Sequence, residues 1–152
     1  MKGLNEPAGK REILQRLEDI HPDSPRQWGK MTPHQMICHL SDGFRMFMGD
    51  KKVAPQRTPI PRSLLRFVAI WVPLRWPKGF RAAPELDQQK GGTRPAEFEA
   101  DKRQLRGLIE RFTRTPKDYT FQPHPHFGQL SEQEWMRLAY LHADHHLRQF
   151  GA

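Results

Sequence analysis

Apolar side chains recur at three- and four-residue steps in four long stretches of this chain, and no stretch shows a convincing two-residue alternation. In the first, Lys10 to Ile20, residues Ile13, Leu14, Leu17 and Ile20 share one face. That spacing predicts an amphipathic helix, ended by His21, Pro22 and Pro25, with residues 1–8 as a loose lead-in. The second opens at Thr32 and Pro33, where Gln35 completes a capping box and Pro33 occupies the first helical position. Its stripe is Met36, Leu40, Phe44 and Phe47, and Gly49 is a natural terminator. A third helix is expected from Arg94 to about Arg114, capped by Thr93, with Phe98, Leu105, Leu108, Ile109 and Phe112 as its apolar face. The fourth runs from Ser131 to Phe150, its start marked by the Ser131–Glu134 capping box.

Four such helices without strands predict an all-α helix bundle, and 152 residues suit a single domain, 1–152, with its own core. Residues 50–92 are the least regular part, interrupted by Pro55, Pro59, Pro61, Pro73, Pro77 and Pro84. Within this long connection between the second and third helices, Ser63 to Val72 reads as a short, very apolar helix. Such a segment can lid a pocket, pack across a bundle end, touch a membrane surface, or serve a homodimer. The longest apolar run, Leu64 to Leu74, is broken by Arg66 and Pro73 and falls short of the ~20 residues a membrane span needs.

The single Cys38 permits no internal disulfide and sits in an apolar helical pattern, where an inert buried thiol is expected. No secretory leader pattern opens the chain, so a soluble cytoplasmic protein is the expectation. A formal net charge of +8 raises the question of an anionic partner. The basic residues read as dispersed, without a dense block, zinc-finger spacing or RNA-binding aromatic signature, which argues against nucleic acid. Arg75, Trp76, Lys78 and Arg81 mix basic and aromatic groups that could meet an anionic ligand.

The chemistry concentrates in the last helix. Its face of Trp135, Leu138, Ala139, His142 and His146 begins apolar and ends in imidazoles. His142 and His146 stand one turn apart and can aim two nitrogens at one point, an arrangement suited to a divalent metal such as zinc. Histidine pairs of this kind also cap cores at their polar edge, and adjacent His145 could replace either ligand or face water. His39, beside the stripe of the second helix, can reach the interior, whereas His34 is expected to face solvent. His21 reads as structural or exposed, and His124 and His126 are pocket candidates by position, although loop histidines beside Pro and Gly more often serve structure.

Two motifs resemble a known family. Trp28-Gly29-Lys30-Met31-Thr32-Pro33 leading into Cys38-His39-Leu40 resembles the second-helix region of the DinB/YfiT-like superfamily, and His142-Ala143-Asp144-His145-His146-Leu147-Arg148-Gln149 resembles its last-helix motif. The run from His124 to Trp135 resembles an uncharacterised DinB-related branch. The resemblance implies a four-helix bundle whose second and fourth helices hold nickel or zinc, with His39, His142 and His146 as the ligands. It departs from the family pattern where His146-Leu147-Arg148-Gln149 stands in place of His-Arg-Gly-Gln. Characterised members of that superfamily include transferases and isomerases that use low-molecular-weight thiols, which implies a small-molecule substrate and metal-assisted thiol transfer. A small metal-dependent hydrolase, with Asp42 or Asp144 as general base, and a non-enzymatic stress-related metal-binding protein are the competing expectations.

Overall fold

The computed structural model describes all residues, Met1–Ala152, as five α-helices and one 3-10 turn with no β-strand. They are α1 (Pro7–Glu18), α2 (Pro33–Phe47), α3 (Arg62–Trp71), α4 (Phe98–Thr113) and α5 (Glu132–Gln149), with the 3-10 turn at Pro84–Leu86. The capping boxes read from the sequence form in full. Thr32 Oγ1 accepts the Gln35 N–H while Gln35 accepts the Thr32 N–H, and Ser131 and Glu134 do the same at α5.

α2 is the central element: twelve of its 15 residues are buried, so it is covered on nearly all sides. It packs against α4 and α5, while α1 and α3 lie against α5. Phe44, Phe47, Phe112 and Trp135 meet edge-on or tilted between α2, α4 and α5, with centroids 5.0–5.9 Å apart. Phe121 stacks on Trp135 and Tyr119 on Phe112, so the 114–130 connection closes this aromatic core. Between α1 and α4 the ammonium of Lys102 is buried against the Glu18 and Ile20 carbonyls (2.9 and 3.1 Å), where the C-terminal end of a helix dipole favours a cation.

Three local expectations are corrected. The lead-in is not loose at Leu4, which is buried in the core and donates its N–H to the Met136 carbonyl. α1 accordingly starts earlier than expected, with Pro7 in its first turn. α4 starts at Phe98, not Arg94, and its cap is Glu97, whose carboxylate accepts the Glu99 and Ala100 N–H groups. Thr93 is committed elsewhere: its N–H and its hydroxyl both donate to Asp42 at 2.7 Å. The short apolar helix in the long connection does form, as α3, with only Ile70 fully buried.

Candidate metal centre

Three imidazoles converge between α2 and α5. His39 is the seventh residue of α2, and His142 and His146 follow one another on the inner face of α5. Their ligand-capable nitrogens all lie within 4.8 Å of one another. The ring centroids of His39 and His142, His39 and His146, and His142 and His146 are 5.2, 4.7 and 4.9 Å apart. His39 and His146 are buried and His142 is partly buried.

Hydrogen bonds fix the outward-facing atoms of two rings. His39 Nδ1 lies 2.8 Å from the Leu86 carbonyl, which can only accept, so Nδ1 carries the proton and Nε2 is left as a bare lone pair. His146 Nδ1 lies 3.0 Å from Gln149 Oε1, while the Gln149 amide nitrogen donates to the Trp28 carbonyl at 2.9 Å. That relay again places the proton on Nδ1 and frees Nε2. His142 Nε2 stands 3.2 Å from His39 Nε2. Two nitrogens bound at about 2.0–2.1 Å to one tetrahedral ion are separated by about 3.3 Å, so the pair is already at co-ligand spacing. Without an ion, one proton donated from His142 to His39 satisfies the contact.

Burial, with the neighbouring imidazoles adding to it at His142 and His146, holds all three rings below the ordinary histidine range, and those two well below. They are neutral near pH 7, the form that binds metal. The same shift has a stability consequence. In the metal-free protein these rings resist protonation, whereas unfolded histidines protonate near pH 6.5, so below that value the unfolded state binds more protons and stability falls with pH. His124, pushed down to about 3 by burial, acts in the same direction. His142, His146 and His124 are each expected to remove on the order of 1 kcal/mol between pH 6.5 and 5.5, with His39 acting in the same direction. Thermal melts of chelator-treated protein at the two pH values check this; an unchanged midpoint would mean that the rings are not buried as neutral species.

The other candidates are placed elsewhere. His145 lies outside the donor group: it is enclosed by Trp28 and Trp76, with centroids 5.7 and 6.1 Å away, and its buried Nδ1 has no partner in the protein. His34 does not face solvent freely but pairs with Asp101 at 2.7 Å, next to Cys38. Burial and the Asp101 carboxylate push the Cys38 thiol up to about 12, consistent with an inert thiol. His124 accepts the His126 and Phe127 N–H groups and stacks on Phe127 in the turn closed by the His124–Gly128 bridge, a structural role. His126 lies against Phe80. Asp42 is wholly buried but engaged by Thr93, Gln88, Arg45 and Lys51, and Asp144 is engaged by Arg16 and Arg148. Neither carboxylate is hydrogen-bonded to the histidine cluster.

Several supporting groups escaped the sequence reading. The Leu86 carbonyl has no sequence signal at all, being a backbone atom 47 residues from His39. Gln149 had one, its position three residues after His146 on the same helix. Gly43 had another, as a glycine inside a helix four residues after His39. A Cβ there would approach His142 Cε1 to 3.1 Å, so the small residue makes room for the ring. Gly29, with φ of 79°, lets the chain turn where a Cβ would meet the Gln149 amide at 2.6 Å. At the mouth, the Trp76 ring lies 6.2 Å from that of His142, and Lys78 sits 4.8 Å above the Trp28 ring.

Replacing Gln149 with leucine tests whether the relay orients His146. Metal affinity, measured by competition with a chromophoric chelator, is expected to fall about 10- to 100-fold with the helix retained. Unchanged affinity would leave Gln149 as a link to Trp28 alone.

A family model described as protein of unknown function (DUF1569) matches residues 54–152, which include α3, α4 and α5 with His142 and His146, while His39 precedes the match. No curated protein and no solved structure matches the chain.

Proposed function

Because the chain belongs to the DUF1569 family, whose description states no activity, we propose from its histidine cluster that it is a divalent-metal-binding protein using His39, His142 and His146 as ligands. One observation carries this reading: three neutral imidazoles converge, two of them held by acceptors so that a lone pair points inward, and two nitrogens stand 3.2 Å apart. Nickel or zinc fits an all-nitrogen donor set of this kind. In this proposal the helices carrying the site are those of a DinB/YfiT-like four-helix bundle, with α3 as an addition in the long connection.

Three protein ligands leave a coordination position for another molecule, the pattern of a catalytic rather than a purely structural centre. A divalent ion held there supplies Lewis acidity toward a thiol or water. We assign the protein as a metal-dependent enzyme of the low-molecular-weight-thiol S-transferase type. His145, enclosed by Trp28 and Trp76 and with an unpartnered Nδ1, offers a polar contact beside the ligands, and Lys78 offers a cation to the acidic part of a thiol cosubstrate. The hydrolase alternative needs a general base, and both carboxylates considered for it are committed to other partners. A non-enzymatic metal-binding role needs neither thiol nor base.

Elemental mass spectrometry of untagged protein, purified without added metal, tests the metal reading first. About one nickel or zinc ion per chain is expected. Consumption of a small thiol by the loaded protein in the presence of an electrophile then tests transfer. Protein that is empty as purified and takes up neither ion when supplied overturns the proposal.

A further inference from the structure

The excess positive charge and the exposed apolar side chains fall on the same segment. Residues 51–84 hold eight Lys and Arg and no Asp or Glu, so the formal net charge of +8 resides here and the remaining residues balance, 17 basic against 17 acidic. The dispersal read from the sequence therefore holds for the basic residues but not for the net charge. Within this segment Ile60, Leu64, Phe67, Val68, Leu74 and Phe80 are 42–70% exposed; the one other large apolar side chain this exposed is Met1. Leu64, Phe67 and Val68 share an exposed face of α3, whereas Ile70 is buried.

The segment forms one continuous surface. Gln56 donates its N–H to the Pro125 carbonyl, the Phe80 ring lies against His126, and Arg66 bonds the Gln129 carbonyl, so these are gathered along the 125–129 turn. The Trp76 indole N–H donates to the Ala69 carbonyl, folding the following loop back on α3. Lys52, Arg57, Arg62, Arg75, Lys78 and Arg81 are exposed and make no ion pair, whereas Lys51 and Arg66 are paired with Asp42 and Glu134.

We propose that this surface docks on an anionic phospholipid bilayer, with α3 lying in the interface. At ten residues α3 is about 15 Å long, and no helix is long and apolar enough to cross a membrane. A bilayer meets both features together: Leu64, Phe67 and Val68 enter the acyl boundary while the unpaired Arg and Lys side chains meet lipid phosphates. A second copy of the same face would set like charges against each other. Nucleic acid would satisfy the cations and leave Ile60, Leu64, Val68 and Leu74 without an apolar partner.

Cosedimentation of the full-length protein with phosphatidylcholine vesicles, with and without phosphatidylglycerol, tests the proposal. Wild type is expected to sediment with the anionic vesicles only, and less so as salt is raised. A Leu64→Ser/Phe67→Ser variant and an Arg57→Ser/Arg62→Ser/Arg81→Ser variant should each bind on the order of a hundredfold more weakly. All substituted side chains are exposed, and unchanged circular dichroism and metal content confirm that the fold persists. Wild type that stays in solution, binds neutral vesicles equally, or forms a dimer that Leu64→Ser/Phe67→Ser dissociates would each overturn it. Vesicle binding by His39→Ala protein separates this surface from the metal reading, since its α3 is untouched.

Discussion

His39→Ala protein is expected to retain its helices and lose its metal, from about one ion per chain to none. The mutation removes the single ligand that α2 contributes and leaves two imidazoles one turn apart on α5, a much weaker pair. His142→Ala should behave alike. His145→Ala should keep its metal, because that ring lies outside the donor group and faces the two tryptophans. The fold should survive His39→Ala at a cost of about 1–3 kcal/mol, since the Leu86 carbonyl loses its buried donor. Elemental analysis of these three variants and of His146→Ala, with circular dichroism alongside, decides the assignment. Stoichiometric metal in His39→Ala would end the three-histidine reading, and loss of metal in His145→Ala with retention in His146→Ala would exchange the adjacent ligands.

The second large effect is expected at Asp42. Its carboxylate is fully buried and accepts from the Thr93 N–H and hydroxyl at 2.7 Å and from Gln88 at 3.2 Å, with Arg45 and Lys51 at 3.1 and 3.3 Å. Burial alone would raise its pKa, but the Thr93 hydrogen bonds and Lys51 outweigh burial and hold it below the ordinary value. Asp42→Asn keeps the volume but removes the charge and turns one acceptor into a donor facing other donors. A loss of about 3–5 kcal/mol is expected, as for a buried ion pair deprived of one partner. For a chain of this size that corresponds to roughly 10 °C in melting temperature.

The pH dependence gives an independent check on Asp42. A carboxylate with a depressed folded pKa stabilises fully above its unfolded value near 3.9, and that contribution is lost as pH falls through the folded pKa. The gap between wild type and Asp42→Asn should therefore be wide at pH 7 and close under strongly acidic conditions. A secondary effect on metal affinity is expected too. The segment that Asp42 anchors through Gln88 and Thr93 is the one that brings the Leu86 carbonyl to His39. An equal melting temperature at pH 7 would show that the charge on Asp42 adds nothing to stability.

The elements were legible in the chain because their signals are local. Helical spacing placed α2 and α5, and the Thr32–Gln35 and Ser131–Glu134 boxes marked their starts, since a cap involves residues three apart. The α3 segment was equally plain from its run of apolar residues between prolines. Thr93 misled for the same local reason: it has the chemistry of a helix cap, but a buried carboxylate 51 residues earlier in the chain claims both of its donors. His142 and His146 could be paired from spacing alone, whereas bringing His39 to them depended on how α2 packs on α5.

By itself, then, the sequence determined the all-helical class, the starts of α2 and α5 and the residue types available to hold a metal. Tertiary structure alone decided that three histidines meet, that the Leu86 carbonyl and Gln149 leave their inner nitrogens bare, and that Asp42 anchors a loop rather than serving as a base beside the cluster. It also decided that the apolar face of α3 and the unpaired cations of residues 51–84 share one exposed surface. The physical reason is common to all of these. Spacing along a helix is set by the backbone within a few residues, whereas a proton's position, a buried charge's partners and a side chain's exposure depend on atoms that are near in space and distant in the chain.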